Sequence, residues 1–123
     1  MESGIVSQMS YDKREENGWT IWSISGSLDI NTSLEAEEQG QEIYASAGKM
    51  AIDLSGIRYL SSAGLRMLMR FSKRAKKDDK GFALIAAEGM AATVLKESKM
   101  DMMVSVLSSC KELDPTPTQS SVP

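Results

Sequence analysis

The stretch from Ile57 to Phe71 reads I-R-Y-L-S-S-A-G-L-R-M-L-M-R-F and joins the end of an apolar strand to a long amphipathic helix. Ser61 and Ser62 stand at the join, where a helix leaves its first backbone N–H groups unpaired and its dipole is positive. A serine there caps the helix, and the same position suits a phosphate group. The pattern leaves both roles open, and we expect any chemistry of this chain to lie at this corner.

The residues that follow the join predict the clearest helix of the chain, from Ala63 to Lys77. Its apolar side chains recur at the three- and four-residue spacing of one buried face. A basic stripe runs along the helix and consists of Arg66, Arg70, Lys73 and Lys77. Such a stripe is either a solvated outer face or a docking surface for an acidic partner.

Hydrophobic periodicity elsewhere predicts strands that alternate with helices. Asn17-Gly18 is a strong hairpin signal between the first two strands, and Thr32 with Glu35 predicts a capping box at the first helix. This alternation implies an α/β fold, a mixed but mostly parallel sheet with helices packed on it. The order is β-β-α-β-α-β-α-β, with strands predicted at residues 5–11, 19–25, 50–54, 82–86 and 102–107, helices at 31–47, 63–77 and 90–98, and turns at 26–29 and 53–56.

The composition of the 123-residue chain limits its chemistry. A net charge of −3 argues against nucleic acid as the main partner, because phosphate neutralisation needs a basic surface. The sequence has no histidine, which excludes Ser-His-Asp and Cys-His catalysis within the chain. It also lacks a glycine-rich phosphate loop and a Cys/His metal cluster, and the single Cys110 cannot form an internal disulfide. We therefore expect neither an enzyme nor a bound cofactor or metal.

Two carboxylates at the ends of predicted strands, Asp29 and Asp53, are further candidates. Paired acids bind metals or serve as acid and base, whereas a single aspartate commonly forms a turn. Nothing in the sequence spacing of these two residues proves that they meet, so both interpretations stay open at this point.

The length fits one compact domain, which we expect at residues 1–109. Residues 110–123 contain all three prolines with serine, threonine and glutamine, and they predict a disordered polar tail. No apolar run approaches the roughly 20 residues of a membrane helix. The N-terminus lacks the basic and then apolar pattern of a secretory signal. We therefore expect a cytoplasmic protein that does not insert into a membrane.

Two motifs resemble signatures of the STAS domain, the fold of bacterial anti-sigma factor antagonists. The segment A-I-D-L-S-G-I-R-Y-L-S-S-A-G-L-R-M-L-M-R-F at residues 51–71 resembles the strand-to-helix signature of this family. Gly26-Ser27-Leu28-Asp29 resembles its G-x-L-D turn before the first helix. The resemblance covers about Ile5 to Leu107, and the predicted order of elements agrees with the STAS fold.

The resemblance implies a partner switch that regulates transcription. In the family, the unphosphorylated antagonist binds an anti-sigma factor that is also a serine kinase, phosphorylation at the start of the second helix separates the two, and a phosphatase resets the system. The antagonist has no established catalytic role of its own. Together with the basic stripe, the resemblance gives the predicted partner-binding residues, which are Asp29, Ser61, Ser62, Ala63, Gly64, Arg66 and Arg70.

This chain departs from D-S-[ST]-G-L, the best-known form of the family motif. Aligned on Gly64, the acceptor position holds Ala63 and the aspartate position holds Ser61. Ser62 matches the serine before the usual acceptor, and we expect it, ahead of Ser61, to be phosphorylated. Asp29 matches the family aspartate near the acceptor. The alternative is a constitutive STAS interaction subunit of a lipid-transport ATPase or of another signalling complex.

Overall fold

A computed structural model describes residues 9–113 of the chain. They form a five-stranded sheet in the order β1-β2-β3-β4-β5, in which β1 is antiparallel to β2 and the other neighbours are parallel. The predicted α/β class, the order of elements and the mostly parallel sheet are confirmed. The elements are β1 (Ser10–Glu16), β2 (Trp19–Leu28), α1 (Ile30–Ser46), β3 (Lys49–Leu60), α2 (Ser62–Lys77), β4 (Gly81–Ile85), α3 (Met90–Glu97) and β5 (Ser105–Leu107), with 3-10 turns at Met100–Met102 and Cys110–Glu112.

The three helices pack on one face of the sheet. Alternate residues of each strand point to opposite faces, so each strand contributes to two apolar clusters. The helix-covered face holds the larger apolar cluster, which includes Trp22 and Ile52 from the strands and Leu68 from α2. The opposite face holds a smaller cluster around Ile21 and Ala51. The inner strands are therefore buried on both sides, as their short apolar runs predicted.

The N-terminal hairpin is present, although its first strand lies later than predicted. β1 runs through the charged residues of Ser10–Glu16, and most of the predicted strand at 5–11 lies outside the described residues. Asn17 and Gly18 have φ values of 54° and 85°, so they adopt the left-handed conformation that a tight hairpin requires. β1 is an edge strand and exposes most of its residues, which explains why its sequence reads as a polar linker.

β2 and β3 run past the turns predicted at residues 26–29 and 53–56. The two strands pair beyond these points through register shifts near Ser25 and Gly26. Gly56 marks a close approach of the strands, because a Cβ added there would come within 2.3 Å of the Ser25 Oγ. β3 continues seven residues beyond Asp53, the partner of the last residue of β4, and carries Leu60 roughly 20 Å further.

The C-terminal residues 110–113 are folded against the face without helices, and residues 114–123 lie outside the described part. Leu113 is buried in the smaller cluster. The Cys110 Sγ accepts a hydrogen bond from Arg14 at 3.1 Å and lies 4.0 Å from an Asp53 carboxylate oxygen. Burial, followed by the charge of Asp53, raises the pKa of the Cys110 thiol. Asp53 therefore contacts Cys110, and it lies far from the end of β3 at which Asp29 is found. The two carboxylates do not form a paired site.

Tyr44 fastens the end of α1 to the turn between α2 and β4. Its hydroxyl donates to Asp78 at 2.7 Å, and burial together with this carboxylate raises the pKa of Tyr44 to about 12. The Lys80 ammonium lies 3.9 Å from the ring centroid and donates to the Tyr44 carbonyl at 2.7 Å. Arg74 approaches the same ring at 4.7 Å. These contacts fix α1 over the sheet at the end remote from its first turn.

Gly40 allows α1 to approach the aromatic core. A Cβ added at this position would lie 2.6 Å from Trp22 and 2.8 Å from Phe71. Trp22 is completely buried, stacks on Tyr11 at 6.1 Å and meets Phe71 edge-on at 6.3 Å, so it has little room to move. The glycine that lowers helix propensity here is therefore required by packing.

We predict that Gly40→Ala lowers the free energy of unfolding by about 1–3 kcal/mol, because it overpacks Trp22. Gly48→Ala is the matched control, since a Cβ there meets no atom within 4 Å. Urea denaturation of both variants measures the difference. Helix propensity alone would make the Gly40→Ala variant at least as stable as the parent protein. That result would contradict this packing.

Candidate interaction and phosphorylation site

Ser61 joins the starts of α1 and α2 through the carbonyl of Leu28. Its backbone N–H donates to this oxygen at 2.9 Å and its hydroxyl donates to the same oxygen at 2.7 Å. The hydroxyl also accepts from the Gly64 N–H at 3.3 Å, which makes Ser61 the N-cap of α2. We call residues 28–34 and 59–66 the helix-start corner, because both helices begin there side by side.

Ser62 is the first residue of α2 and is exposed. Within residues 9–113, its side chain makes no hydrogen bond, whereas the half-buried Ser61 hydroxyl makes two. The adjacent serines therefore differ in accessibility and in structural role. Capping, one of the two roles left open by the sequence, belongs to Ser61, and the Ser62 hydroxyl remains available to solvent at the positive end of the helix dipole.

Asp29 caps α1 from the other side of the corner. Its carboxylate accepts from the N–H groups of Asn31 and Thr32, each at 2.9 Å, while the Asp29 N–H donates to the Thr32 hydroxyl. The capping box is thus Asp29 with Thr32, and the predicted pair of Thr32 with Glu35 is wrong. Because Asp29 caps the helix by accepting from two N–H groups, α1 begins at Ile30, before the predicted start at Asn31. These bonds, the one from the Thr32 backbone foremost, lower the pKa of Asp29.

Gly64 sets how closely α2 approaches the ends of β2 and β3. A Cβ at this buried position would lie 2.8 Å from Leu60 and 3.0 Å from the Leu28 Cβ. Ala63, beside it, is half-buried. The small residues of the S-S-A-G segment therefore let the helix begin directly on the paired strand ends, which keeps the Ser61–Leu28 hydrogen bonds short.

The two arginines predicted at a partner surface have different surroundings. Arg70 forms a two-point ion pair with Glu37 of α1, with N–O distances of 2.9 and 2.5 Å. Arg66, one turn from Ser62, is exposed and has no ion pair within the described part of the chain. Arg70 thus ties the two helices together, and Arg66 is the arginine of the helix-start corner with a free guanidinium.

Exposed apolar residues at the corner were missed by the sequence reading. Ile30 and Leu34 are each 67% exposed. They lie four residues apart in the first turns of α1, after the cap residue Asp29. Tyr59, two residues before Ser61, is 49% exposed. An aliphatic pair four residues apart on the polar side of an amphipathic helix was a signal in the sequence, because such residues lie on one face. Large apolar side chains grouped at the surface mark interaction sites.

Residues 9–113 lack two other kinds of feature. No helix there is long and apolar enough to cross a membrane. No group of three His, Cys, Asp or Glu side chains in that range is arranged to hold a metal ion. The helix-start corner is thus defined by hydrogen-bonded helix caps, an exposed hydroxyl and apolar side chains.

A family model described as "Mlab, STAS domain" matches residues 14–106, and the chain therefore belongs to the STAS domain family. The anti-sigma-F factor antagonist RsfB of Mycobacterium tuberculosis is 33% identical over 73 residues. The aligned region spans 58% of this chain and 59% of that protein, less than two thirds of its length. The family indicated by the two sequence motifs is confirmed.

Solved structures share the fold. An anti-sigma factor antagonist from Mycobacterium paratuberculosis superposes with a TM-score of 0.78 at 22% identity, over 85% of this chain and 89% of that one. The anti-sigma factor antagonist SpoIIAA in its unphosphorylated form has a TM-score of 0.66 at 8% identity, over 84% and 91% of the two chains. At these identities the similarity establishes the fold alone.

We predict that Ser61→Ala lowers the free energy of unfolding by about 1 kcal/mol, the usual cost of removing a helix cap. Ser62→Ala is the adjacent control and should change it by less than about 0.5 kcal/mol, because that hydroxyl is exposed. Chemical denaturation of both variants measures the two values. The reverse order of stabilities would show that the roles of the two serines are interchanged.

Proposed function

We propose that this chain is a cytoplasmic, non-catalytic antagonist of an anti-sigma factor, and that it regulates transcription by partner switching. The helix-start corner would dock an anti-sigma factor that is also a serine kinase. The single observation that carries the proposal is the exposed Ser62 hydroxyl at a helix start, in the same corner as the exposed Ile30 and Leu34. The names of the similar proteins support the same class of function.

Phosphorylation of Ser62 would switch the corner by charge. The kinase would transfer the γ-phosphoryl group of ATP to the serine oxygen, with release of ADP and of the hydroxyl proton. The phosphate adds about −1.5 to −2 charges. The positive end of α2 offsets part of this charge, so the fold tolerates it. A partner with an apolar or acidic surface against Ile30 and Leu34 would then be repelled, and a serine phosphatase would restore binding.

Ser62 is the preferred acceptor for a structural reason. Ala63, at the usual acceptor position, has no hydroxyl, and the Ser61 hydroxyl is already used in the cap of α2. A phosphate on Ser61 would have to break its hydrogen bond to the Leu28 carbonyl. Ser62 offers an accessible oxygen one residue from the usual position without such a loss.

A constitutive STAS interaction subunit of a transport ATPase is the second candidate. Two observations favour it, namely Ala63 at the usual acceptor position and the family model named for Mlab. In this case the helix-start corner would bind its partner without modification. Copurification separates the candidates, because one recovers an ATPase and a permease and the other recovers an ATP-binding switch kinase.

We predict that the cognate kinase with ATP phosphorylates Ser62. Mass spectrometry should find the phosphate in the parent protein and in Ser61→Ala, and should find none in Ser62→Ala. The Ser61→Ala variant controls for loss of the cap, since it weakens the helix start while it keeps the acceptor. Absence of phosphate from both serines in the parent protein would rule out switching at this corner and favour the constitutive subunit.

We predict that Leu34→Ala weakens binding of the anti-sigma partner more than about 5-fold, because removal of an interface anchor commonly costs over about 1 kcal/mol. Met102→Ala is the matched control, since Met102 is 79% exposed but lies in the 3-10 turn after α3. Calorimetric titration measures both affinities. Equal affinities for Leu34→Ala and the parent protein would place the interface elsewhere.

A further inference from the structure

A second surface lies beside the last two strands of the sheet, β4 and β5, in a cleft of about 660 Å³ between α3 and the segment that follows β5. We call it the α3–β5 cleft. The apolar residues that line it include Ala86, Ala92, Val106 and Leu107. Its volume lies within the range of about 300–1,000 Å³ that is typical of ligand sites. β4 ends opposite Asp53, whereas β3 runs on to Leu60, and no residue that lines the cleft belongs to the helix-start corner.

The rim of the cleft is acidic. Glu88, Glu97 and Asp101 border it and are exposed, and none of them forms an ion pair within residues 9–113. Glu112 also lines the cleft, but its carboxylate accepts a 2.6 Å hydrogen bond from Ser108. Lys96 is the single basic residue among the lining residues. Apolar lining residues beside a mostly negative rim favour a ligand that carries positive charge and an apolar group.

The spacing of the carboxylates distinguishes among cationic ligands. They come from the loop after β4, the end of α3 and the following 3-10 turn, and no three acidic side chains in the described range converge as metal ligands would. A compact ion therefore gains little from them. Several separated positive charges with an apolar side chain between them match this arrangement, which is the chemistry of a lysine- or arginine-rich peptide segment.

We propose that the α3–β5 cleft binds a basic, partly apolar peptide segment of a partner protein. An apolar side chain of the segment lies against the alanine and valine lining residues, and flanking lysines or arginines meet Glu97 and Asp101 at the rim. This binding is independent of Ser62. The domain therefore has a second docking surface, built from residues other than those of the helix-start corner.

The test is an amide-shift titration of the isotope-labelled chain with the peptide acetyl-Lys-Leu-Lys-Ala-Lys-Leu-amide. Binding should shift the amides of Ala87, Ala92 and Leu107. Charge reversal of Glu97 and Asp101 to lysine should raise the Kd at least about 10-fold, equivalent to about 1.4 kcal/mol. Reversal of Glu38 and Glu42, exposed on α1, makes the same change in net charge and should leave the Kd within about 2-fold.

Three outcomes would overturn the proposal. They are shifts confined to α1, equal weakening by both charge-reversed variants, and no shift at millimolar peptide. The shift map of the parent protein decides the location even if a variant does not fold. The probe requires neither kinase nor ATP, so its result is independent of phosphorylation at Ser62.

Discussion

The carbonyl oxygen of Leu28 accepts two hydrogen bonds from Ser61, and the start of both helices depends on this contact. It closes the gap between the ends of β2 and β3, and Asp29 caps α1 directly after it. Gly64 permits the contact, because any side chain there would press on Leu28 and Leu60. The ends of two parallel strands thereby become a single rigid platform that presents the first turns of α1 and α2 to solvent.

The two adjacent serines of this platform have different structural roles. Ser61 stabilises the fold because its hydroxyl both donates and accepts within the cap. Ser62 lies one residue further along the helix, and its exposed hydroxyl makes no hydrogen bond within residues 9–113. A modification at Ser62 would alter the charge of the surface that includes Ile30 and Leu34. The same modification at Ser61 would act on the contact that holds the surface together.

The sequence predicted the elements well where one element carries its own pattern. The hairpin at Asn17-Gly18, the amphipathic α2 and the two family motifs led to the right class and order. Strand ends were mispredicted where the neighbour decides, since Gly56 reads locally as a turn and in the fold accommodates Ser25 across the sheet. The corner and the serine cap of α2 were predicted from the sequence, but the Asp29 cap of α1 and the exposed apolar residues were not.

Contacts between distant residues lay beyond local patterns. Arg70 pairs with Glu37 at a separation of 33 residues, and Tyr44 reaches Asp78 at a separation of 34.

The central claim is that a change of charge at Ser62 leaves the Ser61–Leu28 contact intact. It can be tested directly. Phosphoserine is incorporated at position 62 during synthesis, and amide spectra are compared with those of the unmodified chain. We predict shifts confined to the helix-start corner; shifts that spread to Trp22 and Ile52 in the core would contradict this claim.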